Sequence, residues 1–295
     1  MKFKFWGVRG SIASPGPQTV RYGGNTTCIE VRTDADTLIV LDGGTGIFAL
    51  SQSLLSRLPV IANIFLTHSH WDHIQGLPFF IPLFIPGNRV RMFGAADPVT
   101  GNGVEQAMAV QLQYSYFPVR EAELKARMEY QNVNIGERIQ IDDATVTSTL
   151  LNHPVVNLGY RIDCNGKSLF FTGDHEPHYN IYAVTDPGYA EYQLMIDQRR
   201  DAIDLAMHGV DALIVDSSYT REEFKTKTGW GHGSFDGAIE MAMRVGAKHL
   251  FCTHHEPTRS DDELEAVFAD LMQRHAGALG SLQVSLAREG LEVTL

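Results

Sequence analysis

Thr67-His68-Ser69-His70-Trp71-Asp72-His73 follows directly on the apolar run Ile61-Ala62-Asn63-Ile64-Phe65-Leu66 and places four potential metal ligands within six residues. The apolar run reads as a buried strand, and the histidine-rich stretch as the turn at its end. Side chains at alternate positions of an extended segment point the same way, so His68 and His70 can share one cation. The turn that follows can swing Asp72 and His73 toward a second cation. The competing interpretation is a loop that happens to be rich in histidine, and this spacing at a strand end speaks against it.

A two-cation site needs further ligands, and three more strand ends offer them. They are His153 in Leu151-Asn152-His153-Pro154, Asp174 in Phe171-Thr172-Gly173-Asp174, and His254 in Cys252-Thr253-His254-His255-Glu256-Pro257. A carboxylate such as Asp174 can bridge two cations, and the bridging position left over suits a water or hydroxide. Cations about 3.5 to 4 Å apart make that water acidic enough to act as a nucleophile near neutral pH.

Working outward, strand-like segments at Lys2 to Val8, Cys28 to Arg32 and Leu38 to Leu41 precede a helix-like stretch from Ile47 to Arg57. The second half shows strands near Val146 to Leu150, Leu158 to Ile162, Ser168 to Thr172, Ala212 to Val215 and Lys248 to Thr253. Helical patterns there cover Arg199 to His208, Phe235 to Val245 and Asp261 to His275. Strands interleaved with helices in two similar halves suggest two sheets face to face with helices outside, in a single domain spanning 1–295. Two stretches stand apart as candidate lids or dimer contacts. Asp97 to Tyr130 includes Gln113-Tyr114-Ser115-Tyr116-Phe117-Pro118 and a charged, helix-like tail; His175 to Gln198 is rich in Tyr, Pro and His.

Composition narrows the function. The 295 residues are 44% hydrophobic, enough for a substantial core, and their formal charge of −11 works against a broad basic face for long nucleic acid. A small anionic substrate stays possible, because paired divalent cations reverse the field locally. No apolar run approaches the roughly 20 residues of a membrane span, and Met1-Lys2-Phe3-Lys4-Phe5-Trp6 lacks the apolar stretch of a secretory signal. Cys28, Cys164 and Cys252 are odd in number and widely spaced, which points to buried thiols in a reducing, cytoplasmic setting.

The pattern His-x-His-x-Asp-His, followed in order by His153, Asp174 and His254, resembles the metallo-β-lactamase-fold superfamily. That resemblance implies an α/β fold, a four-layer αββα sandwich with metals at its edge. It implies that His68, His70 and His153 hold one metal, that Asp72, His73 and His254 hold the other, and that Asp174 is shared. Asp174 stands where the zinc β-lactamases carry a cysteine, which argues against antibiotic hydrolysis. The branch most similar contains ribonuclease Z and related phosphodiesterases. Gly7-Val8-Arg9-Gly10-Ser11, Gly23-Gly24-Asn25-Thr26-Thr27, Leu41-Asp42-Gly43-Gly44-Thr45-Gly46 and Gly231-His232-Gly233-Ser234 carry this similarity. It implies that His232 lies near the scissile phosphate as proton donor or phosphate contact. Ribonuclease Z carries a long tRNA-gripping arm between its counterparts of His153 and Asp174. Here 20 residues separate them, room for two strands and a turn.

The expectation is therefore a dinuclear hydrolase of a small phosphodiester, such as a cyclic nucleotide or cyclic sugar phosphate, attacked by a metal-bridging hydroxide. Asp72 and His232 are the catalytic candidates, Asp72 because a carboxylate touching metal and water can orient the water or pass a proton. The nitrogen and oxygen ligands suit zinc first, and admit manganese or iron. The same site could serve a carboxylic ester or lactone hydrolase. A non-enzymatic metal-binding sensor or interaction module is the other rival. His175 and His178 read as surface or lid residues, His255 as structural, and Asp216 as a possible partner of a histidine in the site. Trp71 and Phe79-Phe80-Ile81-Pro82 read as packing the metal loop against the core.

Overall fold

In the computed structural model, which describes residues 1–295, Phe3 and Phe5 of the first strand are buried and Lys2 is exposed, the alternation of a strand with one face on a core. Leu38–Leu41 and Ala212–Asp216 are buried at every position, as strands covered on both faces are. Six strands, β1 (Lys2–Gly7), β2 (Cys28–Arg32), β3 (Leu38–Leu41), β4 (Ile61–Phe65), β5 (Arg89–Gly94) and β6 (Arg127–Asn132), lie in that order in one sheet. The next seven form the other: β7 (Arg138–Ile141), β8 (Ala144–Leu151), β9 (Asn157–Cys164), β10 (Lys167–Phe171), β11 (Ala212–Asp216), β12 (His249–Thr253) and β13 (Gln283–Leu286). The last, β14 (Glu292–Thr294), returns to pair with β1.

Each sheet is antiparallel over one part and parallel over the rest, with the change at β3 and at β10. Parallel neighbours require crossovers, and these supply the helices. In the first sheet they are α1 (Gly46–Ser53), α2 (Trp71–Ile74) and α3 (Val104–Gln111); in the second, α4 (Tyr189–Met207), α5 (Arg221–Lys227), α6 (Phe235–Val245) and α7 (Asp261–His275). The central core lies between the sheets, where Phe3 meets Phe251 edge-on at 5.3 Å and Phe65 stacks on Phe93 at 4.3 Å. Separate clusters seat α4, α6 and α7 on the second sheet and α1 and α3 on the first, giving αββα layers. No helix is long and apolar enough to cross a membrane.

Several expectations need correction. The helix expected over Ile47 to Arg57 ends at Ser53, where the Leu54 amide is shared between Leu50 and Ser51 and the chain tightens into a 3₁₀ turn. The helix-like tail before Tyr130 is a single 3₁₀ turn, Glu121–Glu123, followed by the start of β6, an outer strand whose polar residues suit a sheet edge. Helix α4 starts at Tyr189 rather than Arg199, so the end of the His175 to Gln198 stretch is helical. Only Ile196, Ile203 and Met207 of α4 are buried, too thin a stripe to mark its first turns. Strands β5, β7, β13 and β14 were also unanticipated, the last two being short.

The parallel segments align the carboxyl ends of β3 and β4 in one sheet and of β10, β11 and β12 in the other. Strand β8, two antiparallel steps from β10, ends at the same edge. Loops leaving those six ends carry the candidate residues.

Candidate metal centre

Asp174, buried after β10, divides its two carboxylate oxygens between two groups of histidines. Its Oδ2 lies 3.5 Å from His68 Nε2 and 3.8 Å from His153 Nε2, and His153 Nε2 lies 3.1 Å from His70 Nδ1. Its Oδ1 lies 3.1 Å from both His73 Nε2 and His254 Nε2, which in turn approach Asp72 Oδ2 at 3.4 and 3.3 Å. Donor atoms of His68, His70, His153 and Asp174 thus converge in one set, and those of Asp72, His73, Asp174 and His254 in another, each within 4.8 Å of one another. His68 Nε2, His73 Nε2 and Asp174 Oδ1 are buried without a hydrogen-bond partner. Buried polar atoms seldom stay unpaired, and convergent lone pairs of imidazole and carboxylate are the donor set a divalent cation takes. The residues present therefore fit two cations.

In three of these histidines the opposite ring nitrogen is fixed, which determines the nitrogen they present. His73 Nδ1 meets Asp42 Oδ2 at 2.7 Å, and Asp42 accepts from the amide and hydroxyl of Thr67. His153 Nδ1 lies 2.8 Å from the carbonyl of Gly231, and His254 Nδ1 lies 3.0 Å from Ser218 Oγ. Asp72 Oδ2 accepts from the Ser11 amide at 2.7 Å. Ser11, Asp42 and His254 all adopt positive φ near 60°, backbone strain gathered at the site. Gly10 leaves room for the His254 ring, since a Cβ there would lie 2.3 Å from it.

His232 precedes α6, whose cap is Ser234 accepting from the Gly237 amide. Its Nδ1 is 2.9 Å from Asp216 Oδ2, and its ring stacks on His254 at 4.8 Å. Asp216 also accepts from Ser218 Oγ, so one carboxylate steadies both His232 and, through the serine, His254. Buried Glu176 accepts from the amides of Gly229 and Gly231 and holds the loop that carries His232.

Residues 37–255 match the model of a family described as "Beta-lactamase superfamily domain". The chain belongs to the beta-lactamase superfamily. It is 24% identical over 225 residues to ribonuclease Z of Lactococcus lactis, covering 66% of this chain and 70% of that protein. Among solved structures, the metallo-beta-lactamase fold protein YhfI from Bacillus subtilis superposes with a TM-score of 0.67 over 99% of both chains at 18% identity. Zinc-bound PqqB from Methylobacterium extorquens superposes with a TM-score of 0.68 over 100% of both chains at 16% identity. These two likenesses concern the fold.

Charge in this superfamily member's site follows from burial and from who faces whom. Burial lowers the pKa of His68 strongly, and of His70 and His153 in the same direction, leaving neutral rings with a lone pair to offer. Burial is the largest single influence on His73 and His254 and opposes their charged forms, but the surrounding carboxylates, Asp174 foremost, together outweigh it and raise both. The surrounding histidines hold Asp174 itself well below the usual carboxylate range, against its burial. Burial likewise works against charged His232, but Asp216, with Asp174 and Asp72 behind it, pushes the imidazole up to about 9.

All seven candidate ligands and His232 come together. His175, expected at the surface, is instead buried; its Nδ1 accepts from the Asn152 amide, and burial pulls its pKa down to about 4. His255 is structural, 2.8 Å from the Ala287 carbonyl. Trp71 does not pack against the core: it is 67% exposed. Thr67, Ser218 and Glu176 were not singled out in the sequence, and Asp42 was visible only inside a glycine-rich motif. An Asp42→Asn variant is expected to weaken cation binding about 10- to 100-fold, because an amide cannot accept from both Thr67 and His73 as the carboxylate does. Competition with a chromophoric chelator measures it; wild-type affinity would show that Asp42 does not support His73.

Proposed function

We propose that the protein is a dinuclear metal-dependent phosphodiesterase acting on a small anionic phosphodiester. The observation that carries this reading is the division of Asp174 between two histidine groups, with the Asp216–His232 pair beside them. His68, His70 and His153 would hold one cation, Asp72, His73 and His254 the other, and Asp174 both. Zinc suits these donors, and PqqB, of like fold, is zinc-bound. Two such cations would supply an acidified water and neutralise charge on the phosphoryl oxygens.

The chain's own residues supply the rest. Asp72, held by the Ser11 amide, faces the second histidine group and can orient a water for in-line attack. Asp216 accepts from His232 Nδ1–H, so the Nε2 of the ring is left to give a proton to the departing oxygen. The similarity to ribonuclease Z supports a phosphodiester, while the net charge of −11 and the short link between His153 and Asp174 favour a small one. Three buried free thiols fit a reducing compartment such as the cytoplasm.

Elemental analysis combined with hydrolysis of bis(p-nitrophenyl) phosphate, an aryl ester and a lactone tests this. Two cations per chain with phosphodiester cleavage are expected. Bound cations with only ester or lactone turnover would reject it. His232→Ala is expected to lower kcat for diphenyl phosphate about a hundredfold, and much less for the p-nitrophenyl diester, whose leaving group needs no proton. Equal losses on both would remove His232 as the proton donor.

A further inference from the structure

A cavity of about 380 Å³ opens beside His68, between the end of β5 and α3, and no lysine or arginine lines it. Leu66, Trp71, Ile74, Val104, Val110 and Val156 give it largely apolar walls. Apart from His68, its one ionisable group is Asp97, whose Oδ1 accepts from the amides of Val99 and Thr100 and from the Thr100 hydroxyl. A second phosphate or a carboxylate would shed its hydration here with no lysine or arginine of the lining to meet it. An uncharged ring would gain by burial.

Two further observations point to a ligand. Gln111 lines the cavity and is buried, 7% exposed, yet its Nε2 has no hydrogen-bond partner. Folding normally avoids a buried, unpaired donor; the atom is enclosed, and a turn of the amide toward the cavity would let an acceptor on a bound ring satisfy it. Trp71 stands between the candidate ligands His70 and Asp72 and borders the cavity with its ring largely exposed, free to take an aromatic group against it. On the far side of Val155 and Val156, which border both spaces, a separate cavity of about 640 Å³ beside His153 carries Arg199 and His178. Both spaces have apolar walls and share Asp97, and they differ in that only the second carries a cationic side chain, Arg199.

We infer that the cavity between β5 and α3 receives an uncharged aromatic substituent of the phosphoester, up to nucleobase size, against Trp71 and with an acceptor toward Gln111. This rests on the phosphodiesterase reading. In the reaction, a water oxygen bonds to phosphorus and the bond from phosphorus to the other ester oxygen breaks. The departing oxygen takes a proton, and the ring in the cavity stays with the monoester product.

The test compares phenyl p-nitrophenyl phosphate with methyl p-nitrophenyl phosphate, which release the same leaving group, on the metal-loaded wild type and on Ala107→Trp, whose indole would fill the cavity. Binding of benzamide, an uncharged ring with an acceptor, is followed alongside by NMR. The wild type is expected to favour the phenyl ester in kcat/KM at least about tenfold, and the ratio to fall to about one in Ala107→Trp, with benzamide binding weakened by a similar factor. Val110→Arg, at a position 39% exposed where a charge is tolerated, should lower the ratio as well. A ratio near one in the wild type, or a ratio and benzamide affinity that both variants leave unchanged, overturns the inference. Benzamide binding that is lost in Ala107→Trp, without cleavage of either ester, supports the cavity and rejects the phosphodiesterase reading instead.

Discussion

Asp174→Ala is expected to cost the protein both cations and to lower phosphodiester turnover by at least about a thousandfold. The size of the effect follows from position. The two oxygens of Asp174 face different histidine groups, so no other residue belongs to both proposed ligand sets. Its removal takes the anionic member from the group of His68, His70 and His153, which otherwise contains only imidazoles. It also leaves Asp72 as the one carboxylate facing His73 and His254. His254→Ala should behave differently. It leaves the first group complete, and about one cation per chain is expected to remain. Elemental analysis after dialysis, with circular dichroism to establish that each variant is folded, separates the cases. Two cations retained by folded Asp174→Ala would refute the shared-carboxylate arrangement, and turnover within about tenfold of wild type would refute its role in catalysis.

The candidate ligands were legible because four of them lie within six residues and the rest follow strands. His68, His70, Asp72 and His73 sit at one strand end; Asp174 and His254 each follow a strand buried over four consecutive residues, and His153 follows one whose buried residues alternate. What sustains them was not legible. The bond from His73 to Asp42 joins residues 31 apart, and that from His254 to Ser218 joins residues 36 apart; neither separation carries a periodic signal. Asp216 could be suspected from its strand end, but only the fold shows that it serves His232 directly and His254 through a serine. On the fold side, strands with strong apolar patterns were visible, whereas β6 was hidden. Arg127, Glu129 and Asn132 give β6 the composition of a surface helix, and its place at the sheet edge is what allows that composition. Trp71 reads as core by residue type and lies outside because the neighbouring Asp72 and His73 turn inward. Local chemistry marked the candidate site, and long-range pairing determines how it is held.

The glycine-rich opening of the chain illustrates the same division and yields the largest expected loss of stability. Arg9 is fully buried. Its guanidinium donates to the carbonyls of Gly23, Glu256 and Arg259 and to the carboxylate of Asp261, at 2.8, 3.2, 2.8 and 3.3 Å. Asp261 opens α7 and is itself 3% exposed, so cation and anion are removed from water together. Arg9→Met keeps much of the side chain's length but leaves the Gly23 and Arg259 carbonyls and Asp261 Oδ1 without their donor, while the Glu256 carbonyl keeps the Arg259 amide and Asp261 Oδ2 the Arg21 amide. A loss of about 3 to 5 kcal/mol is expected, the range for breaking one partner out of a buried pair. Urea unfolding at fixed pH measures it, and a loss below about 1 kcal/mol would mean that water replaces the guanidinium. The site should feel the change as well. The backbone around Arg9 pairs with that around His255, through His255 N to the Val8 carbonyl and Gly10 N to the His255 carbonyl, and Ser11 N donates to Asp72. An arginine that touches no candidate ligand thus fixes the segment after β1 that positions two of them, His254 and Asp72. In Arg9→Met, cation affinity is therefore expected to fall together with stability, whereas a stability loss with unchanged affinity would show that the opening segment holds α7 alone.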